Sequence, residues 1–392
     1  VKELNVQKYL RSGKTLDDLK EEHGIKFSEK DDLVILNYDQ LNSTKTDPIV
    51  MECRSLILKK GTWDIVSMAM RRFFNYGEAE NVTEDFDFNK AVALQKIDGS
   101  IISVFHDGNG FRMSTRGMID GGGEVGLCSI SFKTLFDMTV KQYAPDTSAF
   151  FQNLDPDYNY IFELTAPENR VVTQYKERSL HLLTMRSIKE DWAEVSPDRV
   201  DLYAIRLGVK RPEAYSFSDI ASLVQMAAEL KDLDEGYVCV DYSKQIDGNY
   251  SRIKVKSPVY VAIAHLKESS SASMRALMQL VIAGEQDEFV GYFPEYKNYV
   301  DEISKKYSEY TDSIKADIDF SHNLDKSDRK AYADWAKHSV CPAILFQVLD
   351  GHVKSWQEYM DKMCNNKGPK IVAKNMLKIL KIKDIEWGEG SA

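Results

Sequence analysis

The sequence predicts an α+β region built on antiparallel sheets, followed by an all-α region, with the change near residue 268. Short β-rich runs recur through the first part without regular strand–helix–strand alternation, which argues against a doubly wound parallel sheet. Past Ser269-Ser270-Ser271-Ala272-Ser273 the strand signals nearly vanish. Apolar and aromatic residues then return at three- and four-residue steps.

The strand candidates are Leu33–Leu36, Ser55–Leu58, Ala91–Leu94, Ile101–Phe105, Tyr160–Phe162, His181–Thr184 and Tyr237–Asp241. Helices are expected near 131–142 and 218–231. In the second part Tyr296, Tyr299, Val300, Ile303, Tyr307, Tyr310, Ile314 and Ile318 trace an amphipathic helix. Ser327-Asp328 can cap another through Trp335, and Asn366, Gly368 and Pro369 break the chain before a last helix near 370–382. The domains expected are therefore 1–268 and 269–392.

The 392 residues carry 43% hydrophobic and 29% charged side chains, ordinary for a globular protein. No apolar stretch nears the roughly 20 residues that span a bilayer, and no secretion signal is seen, so no membrane partner is expected. Five scattered cysteines without a C-x-x-C pair imply reduced thiols, a cytoplasmic setting and no zinc site. Seven histidines without H-x-x-x-H spacing point the same way. A formal net charge of −10 leaves nucleic acid only a local basic surface.

Lys96 opens Lys96-Ile97-Asp98-Gly99-Ser100 between two apolar runs and reads as strand, tight turn, strand. A lysine amine attacks only when deprotonated, so a nucleophilic lysine needs a special site. Asp-Gly suits a turn that tolerates positive φ and brings backbone close to a ligand. Alone, the pentapeptide is better read as a hairpin with a solvated lysine. Five further segments stand in order around it. They are Glu52-Cys53-Arg54-Ser55, Arg71-Arg72-Phe73-Phe74-Asn75-Tyr76-Gly77-Glu78, Phe162-Glu163-Leu164 with Ala166-Pro167-Glu168-Asn169-Arg170, Asp234-Glu235-Gly236-Tyr237-Val238, and Lys254-Val255-Lys256. In a strand, Lys254 and Lys256 share one side, and Tyr260 joins them if Pro258 does not interrupt. Each has a plainer reading: a solvated lysine face, glutamates flanking turns, arginines stacked on Phe73 or Phe74.

Taken together, these segments resemble the covalent nucleotidyltransferases, and most closely the phage RNA ligase 1 family, over residues from about 50 to 268. The resemblance implies an α+β nucleotidyltransferase fold. It implies an ATP-dependent RNA ligase that joins RNA 5′-phosphate and 3′-hydroxyl ends through lysyl-AMP and adenylylated RNA, with Mg²⁺ as the metal and Mn²⁺ as a substitute. By position in the motifs, Lys96 is the nucleophile and Glu163 holds the ATP ribose. Glu235 serves the metal. Lys254, Lys256 and Tyr260 meet the α-phosphate, Arg54 and Arg72 the outgoing phosphates, and Arg116 ATP or the RNA 5′-phosphate. The family more often has lysine where Arg72 stands. His181–Thr184 lies where an adenine-stacking residue is expected, without an aromatic.

A DNA ligase or capping enzyme usually continues into a β-barrel, and a non-catalytic nucleotide-binding regulator of the same fold is a third reading. The helical continuation and the intact charged residues favour an RNA ligase with its own helical module. Nicked tRNA is one candidate substrate for such a module, an end-healing enzyme a candidate partner, and the host cytoplasm the setting if the gene is a phage's. Residues 352–383 hold 8 Lys against 2 acids. Lys370, Lys374, Lys378 and Lys381 fall along one helical face, with Val372, Met376, Ile379 and Leu380 able to turn inward. RNA contact and a solvated surface are equally open readings there.

Overall fold

The computed structural model describes residues 3–39, 43–78, 86–125, 128–230, 234–257, 260, 274–284, 286–292, 294–325, 328–367 and 369–383. The chain divides into two compact units, Val1–Val261 and Ala262–Ala392. The serine-rich change of composition at 269–273, and with it the expected boundary at 268, lies outside the described residues. Among the described residues no helix is long and apolar enough to cross a membrane.

The first unit is mixed α/β with mainly antiparallel sheets. Its strands, in chain order, are β1 (Ile25–Lys30), β2 (Leu33–Tyr38), β3 (Arg54–Lys59), β4 (Ile65–Met68), β5 (Phe74–Asn75), β6 (Ala91–Gln95), β7 (Ser100–His106) and β8 (Phe111–Thr115). There follow β9 (Glu124–Val125), β10 (Cys128–Ser131), β11 (Tyr158–Thr165), β12 (Ser179–Ser187), β13 (Ala193–Glu194), β14 (Ala214–Tyr215), β15 (Gly236–Ile246) and β16 (Asn249–Lys256). Strands β1 to β4 form an antiparallel meander. Two five-stranded sheets carry the site, one ordered β13-β12-β11-β7-β8 and the other β14-β6-β15-β16-β5. The β16–β5 pair is parallel and the rest of both sheets is antiparallel.

Each sheet buries one face because its apolar residues alternate or run continuously where a helix covers them. Ile102, Val104, Tyr160, Phe162, Leu180 and Leu182 pack beneath Leu135, Phe136 and Val140 of the helix Phe132–Val140. Ala93, Cys239, Ile253 and Val255 of the second sheet pack with Leu223 and Ala227 of the helix Ile220–Ala228. The latter helix starts where Asp219 accepts a hydrogen bond from the Ser222 amide. Both helices fall within the stretches the sequence indicated.

One local expectation is corrected. The runs on either side of Lys96 are strands, but they do not pair with each other. Strand β6 pairs with β14 and β15, and β7 pairs with β8 and β11. The lysine segment is therefore a crossing between two sheets and no hairpin. A two-sided apolar strand can be satisfied in either sheet, so local sequence does not choose.

Among the described residues of the second unit every regular element is a helix. The longest, Lys297–Ser321, buries Val300, Ile303, Ile314 and Ile318, while Tyr299 stays exposed. Asp328 caps Arg329–Ala336 by accepting from the Ala331 amide. The last helix is Pro369–Ile379. Val372, Ala373, Met376 and Leu377 are buried there, whereas Ile379 is 49% exposed and so does not turn inward as the spacing allowed. Lys374, Lys378 and Lys381 are exposed, and the Lys370 side chain lies outside the described residues.

Candidate active site

Arg54, Lys96, Glu163, Glu235, Lys254 and Lys256 line one cavity of about 180 Å³ in the first unit. Each comes from a different place in the topology. Arg54 starts β3, Lys96 follows β6, Glu163 lies in β11, Glu235 precedes β15, and Lys254 and Lys256 alternate on β16. Met70, Phe73 and Leu183 supply apolar wall.

The lysine segment is held from both sheets. The Lys96 amide donates to the Gly236 carbonyl at 2.8 Å, which ties it to β15. Asp98, 3% exposed, accepts from the Val172 amide at 2.8 Å and the Thr173 amide at 2.7 Å. It also accepts from the Tyr260 hydroxyl at 2.9 Å. Ser100 and Asn169 bond through their side chains, and Asn169 donates to the Leu164 carbonyl at 3.1 Å. The Ala-Pro-Glu-Asn-Arg segment thus buttresses the lysine crossing. Gly99 has no positive φ. Its need is spatial, since a Cβ there would stand 2.4 Å from the Leu164 carbonyl oxygen. Gly236 needs both properties: φ is +133° and a Cβ would meet the Val255 oxygen at 2.2 Å.

Charge dominates the cavity. Five basic side chains, Arg54, Lys96, Arg252, Lys254 and Lys256, face two carboxylates, Glu163 and Glu235. Lys96 Nζ donates to Glu235 Oε2 at 2.6 Å, and Lys256 Nζ stands 3.6 Å from Oε1 of the same carboxylate. Lys254 Nζ lies 4.7 Å from the Phe73 ring centre and the Arg54 guanidinium 5.6 Å from it. Burial pushes Lys254 well below the usual lysine range, and the cations of Arg54, Lys256 and Lys96 add to the shift. Burial likewise raises Glu163 to about 7, against the pull of Lys96 and with Glu235 adding to the rise. A cavity with these surplus cations is built for a polyanion.

Three of the expected residues are not in the lining of this cavity, although the Tyr260 ring lies 5.8 Å from Lys256 Nζ. Arg72, 4% exposed, lines a neighbouring cavity and pairs with Glu78. Its guanidinium stacks 4.4 Å from the Phe74 ring centre. Arg116 is exposed and lies 4.7 Å from the Tyr38 ring centre. Tyr260 falls beyond the end of β16, so the strand face does not extend to it, and its hydroxyl is engaged by Asp98. Two polar lining residues are not singled out by the sequence motifs. Gln95 precedes Lys96, and Arg252 stands two residues before Lys254. The alternation of Arg252, Lys254 and Lys256 was a visible signal for the latter. Leu183 occupies the wall within the segment where an aromatic was sought.

Among the described residues no three His, Cys, Asp or Glu side chains gather to hold a metal. Glu235 offers one hard oxygen donor beside the cation cluster, which suits a Mg²⁺ ion that arrives with phosphates and keeps much of its water.

A sequence-family model described as RNA ligase matches residues 52–260, more than half of the chain. The chain belongs to the RNA ligase family. A bifunctional polynucleotide kinase/RNA ligase of Autographa californica nuclear polyhedrosis virus is 32% identical over 299 residues. That alignment covers 70% of this chain but only 40% of the viral protein. An RNA ligase of Rhodothermus phage RM378 is 24% identical, covering 85% of this chain and 86% of the phage protein. Among solved structures, an archaeal ATP-dependent RNA ligase aligns with a TM-score of 0.45 at 15% identity, over 76% of this chain and 78% of that one.

Proposed function

We propose that this RNA ligase family member is an ATP-dependent enzyme that seals RNA 5′-phosphate to 3′-hydroxyl ends through a Lys96–AMP adduct. The observation that carries the reading is the convergence of Lys96 after β6, Glu235 before β15, and Lys254 and Lys256 of β16 onto one cation-rich cavity. The names of the baculovirus and phage relatives support RNA as the substrate.

In the first step Lys96 Nζ forms a bond to the α-phosphorus of ATP. The bond to the bridging oxygen breaks, pyrophosphate leaves with that electron pair, and the amine loses a proton. The Lys96–Glu235 ion pair must open for this, and the ammonium must first give a proton to solvent, because only the neutral amine has a lone pair; the second proton follows it once the P–N bond has formed. Glu235 would hold a Mg²⁺ ion, which would neutralise charge on the phosphates. Lys254 and Lys256 meet the charge that builds on the α-phosphate oxygens, and Arg54 that on the departing phosphates. Glu163, protonated or ionised near neutrality, hydrogen-bonds the ribose hydroxyls. In the second step an oxygen of the RNA 5′-phosphate attacks the adduct phosphorus. The P–N bond breaks, lysine recovers its lone pair, and a 5′–5′ pyrophosphate forms. A 3′-hydroxyl then attacks the RNA phosphorus and AMP leaves.

The finer assignments follow the same reading. Residues 1–268 act as the adenylyltransferase domain, and the helical remainder serves as an RNA-specificity module for ends such as those of nicked tRNA. Tyr260 acts through Asp98, which fixes the lysine segment. Arg72 and Arg116 serve RNA ends more readily than ATP, because neither lines the Lys96 cavity. The kinase named in the baculovirus relative supports a partner that restores 5′-phosphates, and the cysteine pattern supports a cytoplasmic setting.

The test is incubation with α-labelled ATP and Mg²⁺, then a denaturing gel. Wild type should form an acid-labile adduct, and Lys96→Ala none. Lys96→Ala should also fail on 5′-phosphate ends yet keep sealing of pre-adenylated RNA. An adduct on Lys96→Ala would reject the assignment, and an adduct formed with GTP in place of ATP would reject the ligase reading.

A further inference from the structure

Beside the Lys96 cavity lies a second one of about 350 Å³, and the two share Phe73 and Arg252 as common wall. Resting on the ligase reading above, we propose that this second cavity seats the 5′-terminal nucleotide of the RNA whose end receives AMP.

Its formation follows from the sheet. Strand β5 is two residues long and pairs only with Ile253 and Lys254. The preceding residues of β16, Asn249 to Arg252, lie beyond its cover and line the opening. Arg71 and Arg72, just before β5, line it from another side. Arg72 is 4% exposed, yet its Nε and Nη1 have no hydrogen-bond partner among the described residues, and neither does Arg71 Nε. Buried guanidinium donors left unmatched favour an incoming acceptor, and phosphate is the acceptor their fork geometry fits.

The remaining walls decide what carries that phosphate. Met51, Phe73, Phe74 and Ile246 make much of the surface apolar and partly aromatic. Pyrophosphate has no apolar surface to cover them, whereas a nucleotide places a base on rings and a phosphate on arginine. The volume lies within the usual range of roughly 300–1,000 Å³ for small-ligand pockets.

Arg252 connects the two steps of the chemistry. Its guanidinium is gripped by Glu194, with one bond at 2.7 Å. Glu194 also accepts from the Tyr250 amide at 3.2 Å and the Thr184 hydroxyl at 3.2 Å. Arg252 is thereby fixed in the wall between adduct and RNA, where the attacking 5′-phosphate oxygen must pass. That oxygen bonds to the AMP phosphorus as the bond to Lys96 Nζ breaks.

The experiment uses the full chain and two variants, Ser251→Phe to fill the cavity and Arg71→Gln to remove charge. Pre-formed lysyl-AMP protein is chased with a 5′-phosphorylated RNA dinucleotide, its 5′-hydroxyl counterpart, or inorganic pyrophosphate. The variants should form the adduct and return it to pyrophosphate at wild-type rates, but transfer AMP to the 5′-phosphorylated dinucleotide at least tenfold more slowly. The 5′-hydroxyl dinucleotide should accept nothing. One variant that keeps the adduct and loses transfer suffices. Wild-type transfer in both variants, loss of the adduct in both, or selective loss of the pyrophosphate reaction would overturn the proposal. Absence of an adduct on wild type itself would instead remove the ligase reading and this inference with it.

Discussion

Lys254 sits among other cations in the wall of the Lys96 cavity. It is pushed well below the ordinary lysine range by burial and by three neighbouring cations. A phosphate oxygen beside such a side chain favours its charged form, so its contribution grows with the charge on that oxygen. Lys254→Ala should slow adduct formation by roughly 10²–10³, the usual cost of removing one preorganised donor. Lys254→Arg should not restore it, since a planar fork does not replace a compact ammonium over Phe73. Single-turnover labelling with ATP measures both. Glu163 gives a pH signature. Its folded pKa of about 7 lies above the ordinary carboxyl value of 4.5. The folded state therefore binds more protons than the unfolded state between those values. The contribution to stability is full below the unfolded value and is lost as pH rises toward 7. Wild type should lose stability relative to Glu163→Gln across that window, at no more than about 1.4 kcal/mol per pH unit. Urea titrations of both proteins without nucleotide would measure the difference.

At the level of elements, the lysine crossing works because it belongs to neither sheet alone. The amide of Lys96 is bound to β15, while Gly99 presses on the end of β11. Asp98 holds the loop after β11 through two amides and Tyr260 through its hydroxyl. Any shift between the two sheets moves the nucleophile relative to Lys254 and Lys256. Gly99→Ala makes such a shift unavoidable, because a Cβ cannot stand 2.4 Å from a backbone oxygen. Overpacking of this kind costs about 1–3 kcal/mol. A displacement near 1 Å at a reacting atom can cost about 10²-fold in rate. The expected outcome is a folded protein with a lowered melting temperature and an adduct rate reduced more than tenfold. A melting curve and a labelling time course, run on the same preparation, check both parts.

For the molecule as a whole, the two units carry different tasks in the proposed scheme. The first holds the ATP chemistry. The second contributes a last helix whose Lys374 and Lys378, with Lys381 just beyond it, stand exposed while Val372, Ala373, Met376 and Leu377 are buried. If these lysines and Lys370 meet RNA phosphates, a four-fold Lys→Gln variant should bind RNA more weakly. The log–log salt slope should fall by about 0.7 for each single-strand phosphate that is no longer neutralised. Self-adenylylation should persist unchanged. RNA affinity measured across a salt series decides the matter. An unchanged slope with unchanged affinity would return the helix to a solvated surface.

Most elements were legible in the chain because they are local matters of period and capping. Short apolar, β-rich runs marked β7 and β15, and three- and four-residue steps marked Lys297–Ser321. The charged motifs were legible too, since Lys254 and Lys256 share a strand face whatever the sheet does. What could not be read was anything set by contacts distant in sequence. A pentapeptide between two apolar strands does not say whether they pair, and here they enter separate sheets because β11 and β15 are the better-matched neighbours. Tyr260 lies past the strand's end at Lys256, with its hydroxyl on Asp98 and its ring 5.8 Å from Lys256 Nζ, a placement set by the fold and not by strand alternation. Arg72 was drawn into a neighbouring cavity by Glu78 and Phe74. Residue type and spacing determine which groups can do chemistry. Which of them meet is decided by packing between segments far apart in the chain, where burial and long-range hydrogen bonds outweigh local preference.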